Sequence, residues 1–349
     1  MPEDENVTRL IDIRSLRIFA QTTPCAHSCR YCLVGPKKTS NVAFSRFAHL
    51  VERFVDWRNG STDHQFSILA GFEDSYEFSV EILKGLFELY GRIGWDDECK
   101  GIKLGGLKWR PKAGMRRWLE ARRDHADLRI VHASLAGCGS VHDRWNGRNG
   151  DFDFLFQTMT TAAELGLRIH QRIFVVKSTL PVLCELLDKL DEIPGKALRY
   201  LSTFVYRGLA TRLEEERITE VMRDHLPTRI AAISQRAGDR WLSEREWIED
   251  FADEVENECP QKIEIELEIN EENIDRLENM HCEEIVADLI NRTQNAYAML
   301  PSRLELRTNC ADSSNRRIYA SLEELERKWL DHYRNEGTFQ IERILTHLK

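Results

Sequence analysis

Nowhere in this chain of 349 residues does an apolar run approach the roughly eighteen residues that cross a bilayer, and the opening segment, Met1 to Asn6, is acidic. A membrane anchor and a secretory signal are both missing, so a cytoplasmic location is expected. Positive charge is also short: 49 Lys and Arg stand against 58 Asp and Glu, a net charge of −9. That balance argues against a broad nucleic-acid surface. One basic stretch stands out, Arg110, Lys112, Arg116, Arg117, Arg122 and Arg123, on an amphipathic helix around Trp118 and Leu119. Its charges spread around the helix instead of forming one stripe, so it reads as solvated surface. Repeats of solenoid length and low-complexity tracts are absent. Paired cysteine spacing is absent too, and the nine cysteines suit a reducing compartment in which free thiols and metal ligands persist. With 42% hydrophobic and 31% charged residues, the chain can bury a large core and is too long for one minimal domain.

What is present is concentrated in the run C-A-H-S-C-R-Y-C from Cys25 to Cys32, directly after the apolar stretch Leu16 to Ala20. A cubane iron–sulfur cluster has four irons, normally held by cysteine thiolates, so a loop of only Cys25, Cys29 and Cys32 leaves one iron for another molecule. Three other readings compete. Zinc usually takes four protein ligands and would need His27 or a distant residue as the fourth. A disulfide would leave an odd thiol. An accidental grouping explains none of the supporting motifs further on.

From residue 16 to about 206, short apolar runs alternate with helical segments, the pattern of repeated strand–helix units in a parallel sheet. Strands are predicted at 16–21, 65–71, 101–105, 128–135, 167–176 and 197–206, and helices at 42–58, 77–91, 112–125, 153–165, 180–191 and 214–237. Alternation along three strands puts His132 with Ser134, His170 with Arg172 and Tyr200 with Ser202 on one side. That side is the expected lumen of a barrel, with satisfied core or edge histidines as the competing reading of His132 and His170.

The C-x3-C-x2-C loop, with Tyr31 before its third cysteine, resembles the radical S-adenosylmethionine (radical SAM) superfamily. The resemblance covers about residues 16–206 and implies an α/β fold, a partial six-stranded (β/α)6 barrel with a mainly helical C-terminal extension. It implies an N-terminal extension at 1–15, the barrel at 16–210, and a capping or substrate-binding region at 211–349. It also implies a [4Fe-4S] cluster on Cys25, Cys29 and Cys32, with the amine and carboxylate of S-adenosylmethionine chelating the open iron. Ligands of a parallel barrel gather at the C-terminal ends of its strands. After the second strand, Ala70-Gly71-Phe72-Glu73 is similar to the family's Gly-Gly-Glu-Pro motif, which makes Gly71 and Glu73 candidates for the methionyl amine. After the fourth, Ser134-Leu135-Ala136-Gly137 and the run from His142 to Gly150 resemble the S-x-D-G and H-D-x-x-R-G region of peptide and protein maturases. Ser134 would then contact the carboxylate or ribose. Asn146 fills the usual arginine position, so Arg144, Arg148 or Arg172 would have to meet the carboxylate.

The implied activity is reductive cleavage of S-adenosylmethionine to a 5'-deoxyadenosyl radical that takes a substrate hydrogen, with a low-potential donor such as flavodoxin or ferredoxin supplying the electron. A peptide is the first expected substrate class, and a sugar, nucleoside or other small metabolite the second. A non-catalytic iron or zinc sensor is the third reading. Cys138, in a Gly-Cys-Gly turn after the fourth strand, is a candidate hydrogen donor to a substrate radical, while Cys99 and Cys184 read as ordinary small apolar residues. The tail carries a strand at 262–269 and helices near 243–257, 283–295, 321–335 and 338–347. Its cysteines, Cys259, Cys282 and Cys310, are widely spaced, unlike those of appended cluster domains. Tyr206-Arg207-Gly208-Leu209-Ala210 loosely resembles a Gly-Arg-Ala segment that closes the barrel in some maturases, with Leu209 in the arginine position.

Overall fold

A computed structural model describes residues 13–21, 25–33, 40–62, 64–72, 77–95, 97–250 and 263–335. In chain order its elements begin β1 (Ile13–Ala20), α1 (Phe44–Asn59), β2 (Ser67–Phe72), α2 (Val80–Arg92), β3 (Gly101–Lys103), α3 (Lys112–Ala126), β4 (Ile130–Leu135), α4 (Gly139–Asn146), α5 (Asp151–Glu164), β5 (Arg168–Phe174), α6 (Leu183–Asp191) and β6 (Ala197–Ser202). The tail adds α7 (Glu220–Asp224), α8 (Thr228–Ala231), β7 (Leu242–Ser243), α9 (Glu244–Asp250), β8 (Ile263–Glu268), α10 (Ile274–Asn279), α11 (Cys282–Ala298), α12 (Arg303–Cys310), β9 (Ile318–Tyr319) and α13 (Leu322–Asn335).

Strands β1 to β6 run in chain order, parallel within each hydrogen-bonded set, as β2-β1-β8 and β3-β4-β5-β6. Within each set, strands consecutive in the chain are neighbours, without the 3-2-1-4 reversal of a doubly wound sheet among the described strands. Residues of both sets share one apolar cluster, among them Ile18, Ile68, Ile102 and Val131. On α1 the buried residues Phe47, Leu50, Val51, Phe54 and Val55 recur at helical spacing, each contributing about 2 kcal/mol by leaving water.

The α/β class matches expectation and a strand overlaps each of the six predicted segments, while three features differ. The tail strand β8 joins the barrel sheet itself, pairing parallel with β1 on the side away from β2. Its Ile263, Ile265 and Leu267 are buried while Glu264 and Glu268 are exposed, a period-2 pattern that carries an ion pair from Glu266 to Arg17 at 3.0 Å. The single helix expected at 214–237 is replaced by 3-10 turns at Gly208–Arg212 and Glu214–Glu216 and by the short α7 and α8. Pro227 accounts for the last break, because the residue before proline avoids helical geometry. Third, the run after β4 that was expected as a loop is the helix α4, ended by Gly147 at φ 67°. The predicted helix at 338–347 lies outside the described residues, as do Glu73 and Cys259.

The tail packs a second apolar cluster around Trp247, Leu306, Tyr319, Leu325 and Trp329. It is bound to the barrel by buried charge. Glu324 accepts from Arg217 at 2.6 Å, from the Tyr206 amide at 2.6 Å and from the Ala320 amide at 2.7 Å. On the other flank, the edge of β6 is paired by residues 234–236: the Leu201 amide donates to Ser234 O at 2.9 Å and the Arg236 amide to Leu201 O at 2.9 Å.

Candidate functional site

The cysteine loop lies beyond the C-terminal end of β1 and is stitched down by main-chain hydrogen bonds to three other segments. Ala26 N–H donates to Gly106 O at 3.2 Å, Ser28 N–H to Asn146 O at 3.3 Å and Arg30 N–H to Trp145 O at 2.9 Å, while Leu209 N–H donates to Cys32 O at 2.9 Å. The last contact brings Gly208, at φ 58°, so close that a Cβ there would stand 2.6 Å from Cys32 O. Only glycine fits both the dihedral and the approach.

Tyr31 anchors the loop from the inside. Its ring stacks on Phe204 at 4.6 Å between centroids and tilts against Phe174 at 4.8 Å, in an apolar cluster with Trp145 and Val176 against which Cys29 and Leu33 pack. Its hydroxyl donates to Asn146 Oδ1 at 2.6 Å. Burial above all raises the Tyr31 phenol, keeping it a neutral donor.

Beneath the loop sits a carboxylate with no solvent exposure, Asp151, the first residue of α5. It accepts from Asn146 Nδ2 at 2.6 Å, from Arg148 Nε at 2.8 Å and from His142 Nε2 at 3.2 Å, and His27 Nε2 lies 3.2 Å away. The Ala136 amide donates to His142 Nδ1 at 3.1 Å, which leaves the ring proton on Nε2, facing the carboxylate. Burial alone would raise Asp151, but the hydrogen bonds from His142 and His27 outweigh it and hold the group well below the usual carboxylate range. Two of its partners touch the loop again: Asn146 Oδ1 and His27 Nδ1 each lie 3.8 Å from Cys29 Sγ.

Cys25 is exposed, Cys29 and Cys32 are half-buried, and none of the three is in a disulfide. Burial first, then the neighbouring Cys25 and Cys32 thiolates, push Cys29 up to about 12, so both sulfurs act on Cys29 electrostatically. Among the described residues no three His, Cys, Asp or Glu side chains converge on a point that would hold a single ion. A cubane offers a different iron to each thiolate and asks for no such convergence, and His27 faces Asp151 through Nε2 and the Cys29 sulfur through Nδ1. The donor set fits a three-cysteine cluster.

The face shared by His132, Ser134, His170, Arg172 and Tyr200 is half-buried, whereas Val131, Ala133, Leu135, Ile169 and Ile173 between them are buried. Register sets His132 beside His170 and Ser134 beside Arg172, which neighbours Tyr200. Burial, then His170 and Lys103, lower His132 to about 4, so it is neutral near pH 7. Arg172 donates to Ser202 Oγ at 3.1 Å and lies over Phe174 at 5.0 Å; its Nε is buried without a partner, and Asp239 acts on it only electrostatically. The other two candidate arginines are placed differently. Arg144 is exposed on α4, and Arg148 is committed to Asp151 and to Leu107 O. Gly71 neighbours Phe19 at the end of β2.

Cys138 precedes α4, packs in the main apolar cluster, and its thiol lies 3.7 Å from Glu185 of α6. Burial and Glu185 push it up to about 11. Sequence reasoning missed Asp151 altogether, and its signal was slight: an acid three residues after Arg148, opening a helix behind Gly150. Half of the basic stretch is paired with acids within the chain: Arg110 with Glu77, Arg116 with Glu164 and Arg123 with Asp124.

No protein-family model matches the chain, and no curated protein matches it. Solved structures are similar in fold at low identity. SuiB of Streptococcus suis, also solved bound to S-adenosylmethionine, is 14% identical over 74% of this chain with a TM-score of 0.43, and the match spans 58% of SuiB. The anSMEcpe structure with bound AdoMet is 13% identical with a TM-score of 0.41, covering 95% of this chain and 98% of that one. Methylornithine synthase (PylB) is 13% identical with a TM-score of 0.34 over 56% of this chain and 55% of its own.

Proposed function

We propose that this protein is a radical SAM enzyme that holds a [4Fe-4S] cluster on Cys25, Cys29 and Cys32 and abstracts hydrogen from a substrate in the barrel lumen. The observation that carries the reading is the three-thiol loop beyond the C-terminal end of β1. When bound, the cluster with S-adenosylmethionine supplies reductive carbon–sulfur cleavage and the 5'-deoxyadenosyl radical. The chain's own part is placement and exclusion of water. Arg172 is the guanidinium that would take the carboxylate of S-adenosylmethionine, since its Nε is buried without a hydrogen-bond partner, and Ser134 beside it adds a hydroxyl. Gly71 leaves room for the cofactor beside Phe19, and Glu73 would meet the amine. Cys138 as hydrogen donor is tested by C138A, whose unchanged product would remove it.

The maturase-like run after β4 favours a peptide substrate over a small metabolite, with a low-potential ferredoxin or flavodoxin as donor. Among the described residues no helix is long and apolar enough to cross a membrane. Anoxic reconstitution with iron and sulfide, followed by S-adenosylmethionine and dithionite, should give 5'-deoxyadenosine. Replacing all three cysteines by alanine should abolish both the cluster absorption and the product. Bound zinc with no cleavage in the unmodified protein would support the sensor reading instead.

A further inference from the structure

We infer that Asp151 is a positioning residue for the cluster site: through Asn146 and His27 it fixes Cys29 and Tyr31, and its buried charge sets the ease with which the cluster is reduced. The inference rests on the cluster reading above and goes beyond it. Its basis is the shape of the network. Asp151 lies on α5, which contributes no cysteine, yet its partners reach the cysteine loop by side chain at three places. Asn146 bonds the Tyr31 hydroxyl at 2.6 Å and stands 3.8 Å from Cys29 Sγ, and His27 Nδ1 stands 3.8 Å from the same sulfur. Arg148, which bonds it through Nε at 2.8 Å, already supplies the cation that balances its charge. The two histidines and the asparagine are additional, and two of the three are held by a contact of their own. The Ala136 amide orients His142, and the main-chain oxygen of Asn146 receives Ser28. Groups that orient metal ligands in this way commonly alter affinity by about tenfold or more when removed.

Charge gives a second, separable consequence. Reduction adds an electron to the cluster, and a nearby buried anion opposes it, so neutralising that anion makes reduction easier. The test compares D151N and Y31F with unmodified protein after anoxic reconstitution. Iron per chain, the rate of cluster loss to a chelator, and the midpoint potential by EPR-monitored titration are measured on each. D151N should lose its cluster about tenfold faster and shift the midpoint upward. Y31F keeps the charge and removes one tether, so it should lose the cluster severalfold faster with its midpoint unmoved. Alkylation of Cys29 in metal-free protein, read by peptide mass, should be faster in both variants. If unmodified protein takes up no cluster, the functional reading itself fails. If it takes one up and D151N matches it in chelator loss and midpoint, the inference is overturned. Should D151N not fold, a Y31F protein that matches the unmodified one in chelator loss and alkylation overturns it equally.

Discussion

Two buried carboxylate networks, one at the cysteine loop and one in the tail, look alike until their partners are followed outward. Glu244, with no solvent exposure, accepts from Trp329 Nε1 at 2.6 Å and from the Asp312 amide at 3.0 Å, and is paired with Lys328. Glu324 is closed by Arg217 and two amides. Each tail acid is saturated by groups that hold tail to tail or tail to barrel. Asp151 is equally saturated, but Asn146 and His27 have second contacts that reach a cysteine sulfur. A buried charge that is fully compensated carries no functional information by itself. What its partners touch next does.

The comparison can be broken most forcefully in the tail. Arg217→Met leaves Glu324 buried without its cation and should cost about 3–5 kcal/mol in denaturant melts, while the surviving folded fraction still binds iron. Cluster loss in that fraction would erase the distinction between the networks. Arg172→Gln should weaken S-adenosylmethionine binding about tenfold, or about 1.4 kcal/mol, with iron content unchanged, as read by calorimetry on the reconstituted protein. Gly208→Ala forces a Cβ toward Cys32 O in a left-handed backbone and should cost about 1 kcal/mol, seen as a lowered melting temperature and lowered iron uptake together.

His132 sharpens the contrast by pH. Its folded value of about 4 lies below its ordinary 6.5, so between these the unfolded chain binds the extra proton. Stability should therefore be intact above about 6.5 and fall as pH drops toward 4, and His132→Gln should flatten that part of the denaturant-midpoint profile. Least of all, Arg144→Gln, on an exposed helical position, should change neither stability nor S-adenosylmethionine binding.

The barrel was legible because its signals are local. Apolar runs at period 2 and helices at period 3.6 announced all six strands, and the face shared by His132, Ser134, His170 and Arg172 followed from alternation alone. The three cysteines were legible for the same reason, lying within one segment of eight residues. Asp151 was not, because its meaning lies in neighbours 124 positions back at His27 and nine back at His142, which only the fold assembles. The choice among Arg144, Arg148 and Arg172 was likewise undecidable from spacing. It turns on which guanidinium already has an acid, and Arg148 does. The partner of β8 was hidden as well: its alternation marks a strand but does not say that β1 awaits it.

That pairing governs when the protein can be completed. β1 leaves the ribosome first, and its neighbour β8 is translated about 250 residues later, which at ordinary synthesis rates is a wait of roughly 12 to 50 s. Throughout that interval one flank of the strand leading into the cysteine loop lacks its ladder. The holoprotein is thus a product of late assembly, and iron delivered to the nascent chain would meet thiols whose footing has not yet been laid.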